Sequence, residues 1–412
     1  MEDAMEGVAD VVVVGGGIGG ASLAVGLARE GLGVTVLEAT TEYPDRVRGE
    51  SMQAWGVKEA SDLGVEVTLL EAGAHVTPIW KQYGEGIEEE TILPMATMVP
   101  EIPGSLNLRH PTACQALIDE AAKAGVTVMR AVRDVQLTTS GPSPVVTYAV
   151  DNEVHETRAS LIVGADGRAS TVRKQVGIQL QREEPMSYIA GLLLDGLDDV
   201  PDDHDAMASE GDTFFLIFHQ GGGRARVYIV TGETGRRRFA GSAGTEHFLA
   251  SSVSAGYPWG AQVAAGVPAG PCATYPGDDT WTGAPYTDNV VLIGDAAGHN
   301  DPIIGQGLSI ALRDARTVRD LVTDGARSTR DFARYGEERT ARMERLRFAA
   351  DVLAVIQAED ADNRRARREL AWRLMGEMDP HLFTVLVGAF AGPETVPAEL
   401  VDERLIDRIR AA

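Results

Sequence analysis

The 412-residue sequence has few cysteines and no long apolar run. Its two cysteines, Cys114 and Cys272, do not suggest a disulfide framework. No stretch approaches the roughly 18 consecutive apolar residues that a transmembrane helix requires. The first ten residues, MEDAMEGVAD, are acidic where a secretory signal would be basic, and the apolar run at 11–14 is too short for a signal core. These features predict a cytoplasmic protein without membrane insertion.

Positive charge is also scarce. The sequence has 37 Lys and Arg against 61 Asp and Glu, a formal net charge of −24. Nucleic acids and anionic lipid surfaces are bound through a surplus of Lys and Arg, so neither is an expected partner. The acidic balance is typical of a surface that keeps a protein soluble, and it leaves the oligomeric state open.

Glycine, in contrast, is abundant, and part of it forms a dinucleotide-binding pattern near the start of the chain. A β-branched strand at 10–14 runs into GGGIGG (15–20), which opens a helix over about 18–30, and a second strand follows at 34–38. Gly15, Gly17 and Gly20 let the backbone turn tightly and approach a pyrophosphate at the helix N-terminus. Glu38 ends the second strand, where a carboxylate can hold ribose hydroxyls.

Two later strands end in the same way. One ends at Gly164 and Asp166, the other at Gly294 and Asp295. Since ligands of open α/β sheets bind outside the carboxyl ends of the strands, three such ends suit one long ligand, and FAD fits better than NAD. The helix predicted over 306–325 would direct the positive end of its dipole at the flavin ring.

The remaining pattern predicts an α/β protein: a Rossmann-like FAD-binding domain of the glutathione reductase type, an inserted antiparallel-sheet substrate domain and a C-terminal helical tail. A helix is expected at 111–124 and strands at 126–130, 132–138 and 144–150. The segment 214–232, FFLIFHQGGGRARVYIVTG, predicts a hairpin turning at its glycines. The expected FAD domain comprises 1–75, 100–185 and 276–345, the substrate domain 76–99 and 186–275, and the tail 346–412.

Taken together, GGGIGG with Glu38, GADGR (164–168) and GDAAGHNDPIIGQG (294–307) resemble, in order and spacing, three fingerprints of the single-component FAD-dependent aromatic hydroxylases of the para-hydroxybenzoate hydroxylase type, a family of NAD(P)H-dependent flavoprotein monooxygenases. RVRGE (46–50) resembles the family's arginine-bearing loop after the second strand. The resemblance covers about 1–75, 100–180 and 280–330. His299 and Asn300 differ from the residues of well-known members, which indicates a subgroup.

The resemblance implies non-covalent FAD, NADPH or NADH as transient co-substrate, and O2 with a small aromatic or polyketide-like substrate, oxygenated through a C4a-hydroperoxyflavin. The implied cofactor contacts are Gly15, Gly17, Ile18, Gly20, Glu38, Ala39, Arg46, Arg48, Arg109, Asp166, Gly294, Asp295, Pro302, Gly305, Gln306, Gly307 and Leu308. The implied catalytic residues are Arg226, Tyr228 and Pro302. Arg226 and Tyr228 share one face of a strand, which a surface-facing alternation would equally produce. No metal site is expected, and His110, His219 and His299 are expected to be structural.

Three alternatives share parts of this pattern. A reductase of the geranylgeranyl-reductase type has the same fingerprints. A flavin halogenase would need a lysine, for which Lys81 is available, and a WxWxIP motif, which is absent. A non-enzymatic escort similar to the GDP dissociation inhibitors is disfavoured by the intact glycine loops.

Overall fold

A computed structural model describes residues 5–47, 49–87, 89–141 and 143–412. Its strands are, in chain order, β1 (Met5–Val8), β2 (Val11–Val14), β3 (Val34–Leu37), β4 (Ser51–Met52), β5 (His75–Thr77), β6 (Trp80–Tyr83), β7 (Thr91–Leu93), β8 (Ser105–Asn107), β9 (Thr127–Met129), β10 (Arg133–Thr138), β11 (Val145–Val150), β12 (Glu153–Arg158), β13 (Leu161–Gly164), β14 (Gln181–Arg182), β15 (Ser187–Asp195), β16 (Asp205–Glu210), β17 (Thr213–His219), β18 (Ala225–Thr231), β19 (Val267–Pro268), β20 (Ala273–Gly277), β21 (Thr280–Trp281), β22 (Tyr286–Thr287) and β23 (Val290–Leu292). Its α-helices are α1 (Ile18–Arg29), α2 (Ala54–Asp62), α3 (Glu66–Glu71), α4 (Met95–Met98), α5 (His110–Lys123), α6 (Thr171–Gln175), α7 (Gly244–Val253), α8 (Gly260–Ala264), α9 (Gly307–Thr323), α10 (Thr329–Gln357), α11 (Arg364–Gly376), α12 (Pro380–Ala391) and α13 (Arg404–Arg410).

The site is positioned by a six-stranded sheet in the order β22-β23-β13-β2-β3-β9, parallel except for β22. Its strands are rich in Val, Ile and Leu because both faces are buried. The register aligns their carboxyl ends: Val14 pairs with both Leu37 and Gly164, and Gly164 pairs with Leu292. The three loops predicted from the sequence therefore meet at one edge.

The two faces of this sheet are covered differently. Helices α1, α5 and α9 pack on one face, where Val11, Val13 and Val36 join the main core. The other face is covered by the sheet β1-β12-β11-β10, through Val146 and Tyr148. Strand β12 was not predicted, since its sequence EVHETR is largely polar and has no apolar run.

A second large sheet has the order β19-β15-β18-β17-β16-β6-β7, with β20 also pairing with β15. The predicted hairpin is confirmed: β17 pairs antiparallel with β18 around the loop 220–224. One face of this sheet packs against α7 and α8, and the other contributes Phe214, Leu216 and Phe218 to the main core. The predicted substrate segment 76–99 contributes β6, which pairs parallel with β16.

The C-terminal region is helical, as predicted. Helix α10 begins with a capping box formed by Ser328 and Asp331 and continues for 29 residues, so it crosses residue 345, where the sequence analysis places a domain border. The division into domains otherwise stays a prediction. Among the described residues, no helix is both long enough and apolar enough to span a bilayer.

Candidate functional site

The loop between β2 and α1 brings backbone to the edge of the six-stranded sheet. Gly15 has a φ of 105°, and a Cβ there would lie 2.4 Å from the carbonyl oxygen of Ala165. A Cβ on Gly20 would lie 2.0 Å from the carbonyl oxygen of Gly15. Gly17, the N-cap of α1, has open space where a Cβ would be, and no side chain caps the helix there. The first amides of α1 can therefore receive an anionic group.

Glu38, the first residue after β3, is fixed at the rim of the same edge. One carboxylate oxygen accepts hydrogen bonds from the amide (2.8 Å) and the hydroxyl (2.7 Å) of Thr40. The other accepts from the amide of Gly16 at 2.7 Å. The side chain is therefore held beside the glycine loop, where the sequence predicts a ribose contact.

The loop between β13 and α6 contains Asp166, whose side chain caps the start of α6. Its carboxylate accepts hydrogen bonds from the Ser170 hydroxyl (2.5 Å) and from the amides of Thr171 (2.6 Å) and Val172 (3.1 Å). The sequence analysis did not assign this structural role, and the predicted contact of Asp166 with FAD stays a prediction.

Buried charged side chains fix the loop that follows β23 and contains Gly294. The amide of Gly294 donates to Asp314 of α9 at 2.8 Å, and Asp314 also accepts from Arg339 (3.0 Å) and Arg342 (2.6 Å) of α10. Burial alone would raise the pKa of Asp314, but the two guanidinium groups hold it below its usual range. Arg339 donates further to the carbonyl oxygen of Gly298 at 2.8 Å. Sequence reasoning missed this network because its members lie on separate helices.

The end of the third loop turns into α9. Gly305 is left-handed, with a φ of 64°, and ends the 3-10 turn Pro302–Ile304. A Cβ on Gly307 would meet nothing within 4 Å, and no side chain caps α9. The start of this helix is therefore open, in the same way as the start of α1.

These elements enclose a cavity of about 710 Å³. The predicted residues that line it are Gly15, Gly17, Ile18, Gly20, Glu38, Ala39, Arg46, Asp166, Tyr228, Gly294, Asp295, Pro302, Gly305, Gly307 and Leu308.

Three of the predicted residues that the structure describes do not line the cavity. The side-chain amide of Gln306 accepts a hydrogen bond from Trp55 at 2.8 Å and donates one to the Ala389 carbonyl oxygen at 3.0 Å, and the predicted contact of Gln306 with FAD stays a prediction. Arg109 and Arg226 also lie outside the cavity lining. Arg48 lies outside the described residues.

Arg226 and Tyr228 share a buried partner, Glu50. Arg226 donates to Glu50 at 3.1 Å and to both oxygens of Asp45 at 2.8 Å, while the Tyr228 hydroxyl donates to Glu50 at 2.5 Å. The side chains of Arg226 and Glu50 are each 1% exposed, so the alternative of a surface-facing alternation is wrong. Burial raises the pKa of Glu50 despite the adjacent guanidinium. Glu50 and Tyr228 line the cavity, and Arg226 holds Glu50 from behind.

One part of the cavity is apolar. Side chains from the second sheet and from the C-terminal helices line it: Trp80, Ile189, Met207, Phe214, Leu216, Phe218, Leu353 and Phe390. Sequence reasoning missed this set because β17 is apolar at every position from 214 to 218, which hides the alternation between its two faces.

His299, which lines the cavity, has partners for both ring nitrogens: the Thr280 hydroxyl at 2.9 Å and Asp278 at 3.3 Å. Burial lowers the pKa of His219 to about 3, so that histidine is neutral. Among the described residues, no group of three or more His, Cys, Asp or Glu side chains could hold a metal ion.

Comparison with known proteins identifies the family of the chain. Residues 8–350 match the family described as "FAD binding domain". The chain belongs to this family. It is an FAD-dependent oxidoreductase, related to flavoprotein monooxygenases.

Among curated relatives, the squalene epoxidase erg1 of Aspergillus fumigatus is 25% identical, with 89% of this chain and 78% of the relative covered. Squalene monooxygenase SE2 of Panax ginseng is 24% identical, with 76% of this chain but 58% of the relative covered.

The solved structures share the fold. The p-nitrophenol 4-monooxygenase PnpA of Pseudomonas putida has a TM-score of 0.79 at 18% identity, with 94% of this chain and 99% of that chain covered. The flavin-dependent brominase Bmp2 has a TM-score of 0.75 at 17% identity, with 98% of this chain and 100% of that chain covered.

The residues present fit FAD. Gly17 and Gly307 leave open space at the starts of two helices, where an added Cβ would occupy the cavity. The uncapped starts of α1 and α9 line the same cavity, so both can present backbone amides and the positive end of a helix dipole to one ligand.

Proposed function

We propose that this protein is a single-component FAD-dependent monooxygenase that takes two electrons from NADH or NADPH and transfers one oxygen atom of O2 to a largely apolar small molecule. The other oxygen atom leaves as water. The observation that carries the proposal is that one continuous cavity contains both kinds of lining. The glycine-rich loops at the edge of the six-stranded sheet line one part, and the apolar side chains from Trp80 to Phe390 named above line the other part, here called the apolar lobe.

Bound FAD supplies the redox and oxygen-activating chemistry. The protein positions the substrate and excludes water from the cavity. Phe214, Leu216 and Phe218 present apolar surface to the substrate space, which excludes water from it.

Glu50 and Tyr228 are polar residues that line the same cavity as the apolar side chains. The tyrosine hydroxyl donates to the carboxylate, so its oxygen can accept a hydrogen bond from a substrate hydroxyl. The names of the curated relatives, squalene epoxidases and monooxygenases, support an apolar substrate.

The proposal is tested with FAD-loaded protein, NADH or NADPH, and a panel of apolar phenols and alkenes under ¹⁸O2. The expected result is substrate-stimulated oxidation of the nicotinamide and a product that carries one ¹⁸O atom. A reduced product formed without O2 would instead support the geranylgeranyl-reductase type of activity. Oxidation that yields only hydrogen peroxide with every substrate would count against the proposal.

A further inference from the structure

A second, smaller cavity lies behind the apolar lobe. It has a volume of about 60 Å³ and is enclosed by α10, α11 and α12 and by the edge of the second sheet. Small-molecule sites usually measure roughly 300 Å³ or more. This space is therefore too small for an independent site and suits one part of a larger ligand.

The two cavities share a wall. Met207, Ile304, Leu353 and Phe390 line both of them, so a single layer of apolar side chains separates the spaces. Met and Leu side chains change rotamer readily, and the thioether of Met adapts to irregular shapes. The wall can therefore yield to a chain that enters from the lobe.

The chemistry of the small cavity changes from its inner to its outer end. Ala349, Ala371 and Leu386 supply apolar surface, while Arg365 and Glu369 bring charge to the outer end. Arg365 and Glu369 are 65% and 58% exposed and form an ion pair with each other. Glu85, Gln357 and Arg368 also line the cavity, but Arg368 donates to Gln357 at 3.0 Å and to Glu85 at 2.9 Å, so these polar groups pair with one another. The surface that remains for a ligand group is therefore apolar, and a longer group reaches solvent beside the exposed ion pair.

We propose that the small cavity is a subsite for the hydrocarbon tail of the substrate, whose reacting group occupies the lobe beside the flavin. This inference rests on the proposed function, because it takes the lobe as the substrate site. The substrate class is then narrowed to elongated molecules that carry an unbranched or isoprenoid chain.

The test measures binding of para-alkylphenols, from ethylphenol to octylphenol, through the absorbance of FAD in the loaded protein. A buried methylene strengthens binding about fourfold. Affinity in the wild type should therefore rise with tail length after the lobe is filled. Ala371→Phe fills the small cavity without touching the lobe, and it should abolish this rise while short phenols bind as before.

Two further variants keep the result interpretable. Ala366→Phe adds the same bulk to α11 at a position that does not line the cavity, and it should behave as the wild type. Trp372→Ala opens the outer end, so the rise should continue to longer tails even if Ala371→Phe fails to fold.

A tail-length dependence that is the same in all variants, or absent from the wild type, would overturn the subsite and leave the proposed function standing. Failure of every phenol to bind would overturn the lobe as substrate site, and the subsite with it.

Discussion

At the scale of single residues, Glu50 links the loop after β3 to strand β18 of the second sheet. It follows the loop that carries Arg46, a cavity-lining residue, and its carboxylate is bonded by Arg226 and Tyr228 of β18. Arg226 adds a bond to Asp45 at the start of that loop. Because the guanidinium is buried, its charge depends on these two carboxylates for compensation.

Glu50→Gln removes one of the two charges. Breaking a buried ion pair typically costs about 3–5 kcal/mol, and since Gln keeps the shape and one acceptor, we expect a loss of about 3 kcal/mol in the free energy of unfolding. Urea denaturation measures this loss. Glu233→Gln is the control, since it changes the exposed pair with Arg236 and should leave the midpoint unchanged. Equal midpoints for wild type and Glu50→Gln would show that Arg226 does not need this carboxylate.

Glu38 accepts hydrogen bonds from Gly16 and Thr40, and the sequence predicts in addition that it contacts the ribose of FAD. Replacing it with Ala removes a carboxylate from the predicted FAD site. A charge-assisted hydrogen bond is worth roughly 1.5–3 kcal/mol, so FAD should bind about 10- to 150-fold more weakly. Titration of apo-protein with FAD measures the affinity, and Glu30→Ala on the exposed end of α1 controls for the lost charge. Identical affinities would remove Glu38 from the ribose contact.

At the scale of elements, the strand ends and loops at one edge of the six-stranded sheet could be predicted because each is local. A short apolar run followed by glycine and an acid identifies the end of a buried strand without knowledge of its neighbours. The pairs that hold the site are not local: Glu50 lies 176 residues from Arg226 and 178 from Tyr228. No periodicity within one segment could find them.

Helix α9 is the element whose position relative to the flavin can be tested. Gly305 precedes it in a left-handed conformation, and a Cβ there would lie 3.2 Å from the side-chain amide of Gln53. Gly305→Val is therefore strained and should shift the start of α9. Since the helix dipole favours the anionic reduced flavin, the midpoint potential of bound FAD should fall. Peroxide leak should also rise as water enters the lobe.

The matched control is Gly325→Val, which places the same change in a left-handed glycine just after the other end of α9. It should leave potential and leak as in the wild type. If both variants keep the wild-type potential when saturated with FAD, the start of α9 does not act on the flavin.

At the scale of the whole molecule, the fold class could be predicted from the sequence, but the number of carboxylates that are buried could not. The sequence shows an acidic protein and suggests that its carboxylates are on the surface. The fold instead buries several of them completely, among them Asp205 and Asp301, whose pKa burial raises to about 7. Such burial depends on packing between elements that are far apart in sequence.

Asp301 therefore makes the stability of the protein depend on pH. Burial raises the pKa of Asp301 to about 7, whereas the pKa in the unfolded chain is 3.8. The hydrogen bond from the Ile303 amide opposes this rise, and the charge of Asp279 adds to it. Between about pH 4 and 7 the folded state thus binds a proton that the unfolded state has lost, so the free energy of unfolding falls as pH rises, by about 1.4 kcal/mol per pH unit.

The variant Asp301→Asn keeps an acceptor for the Ile303 amide and does not titrate. We expect denaturation curves of this variant to lose that pH dependence and the variant to be more stable than the wild type at pH 8. Parallel pH profiles for the two proteins would mean that Asp301 is ionised in the folded state.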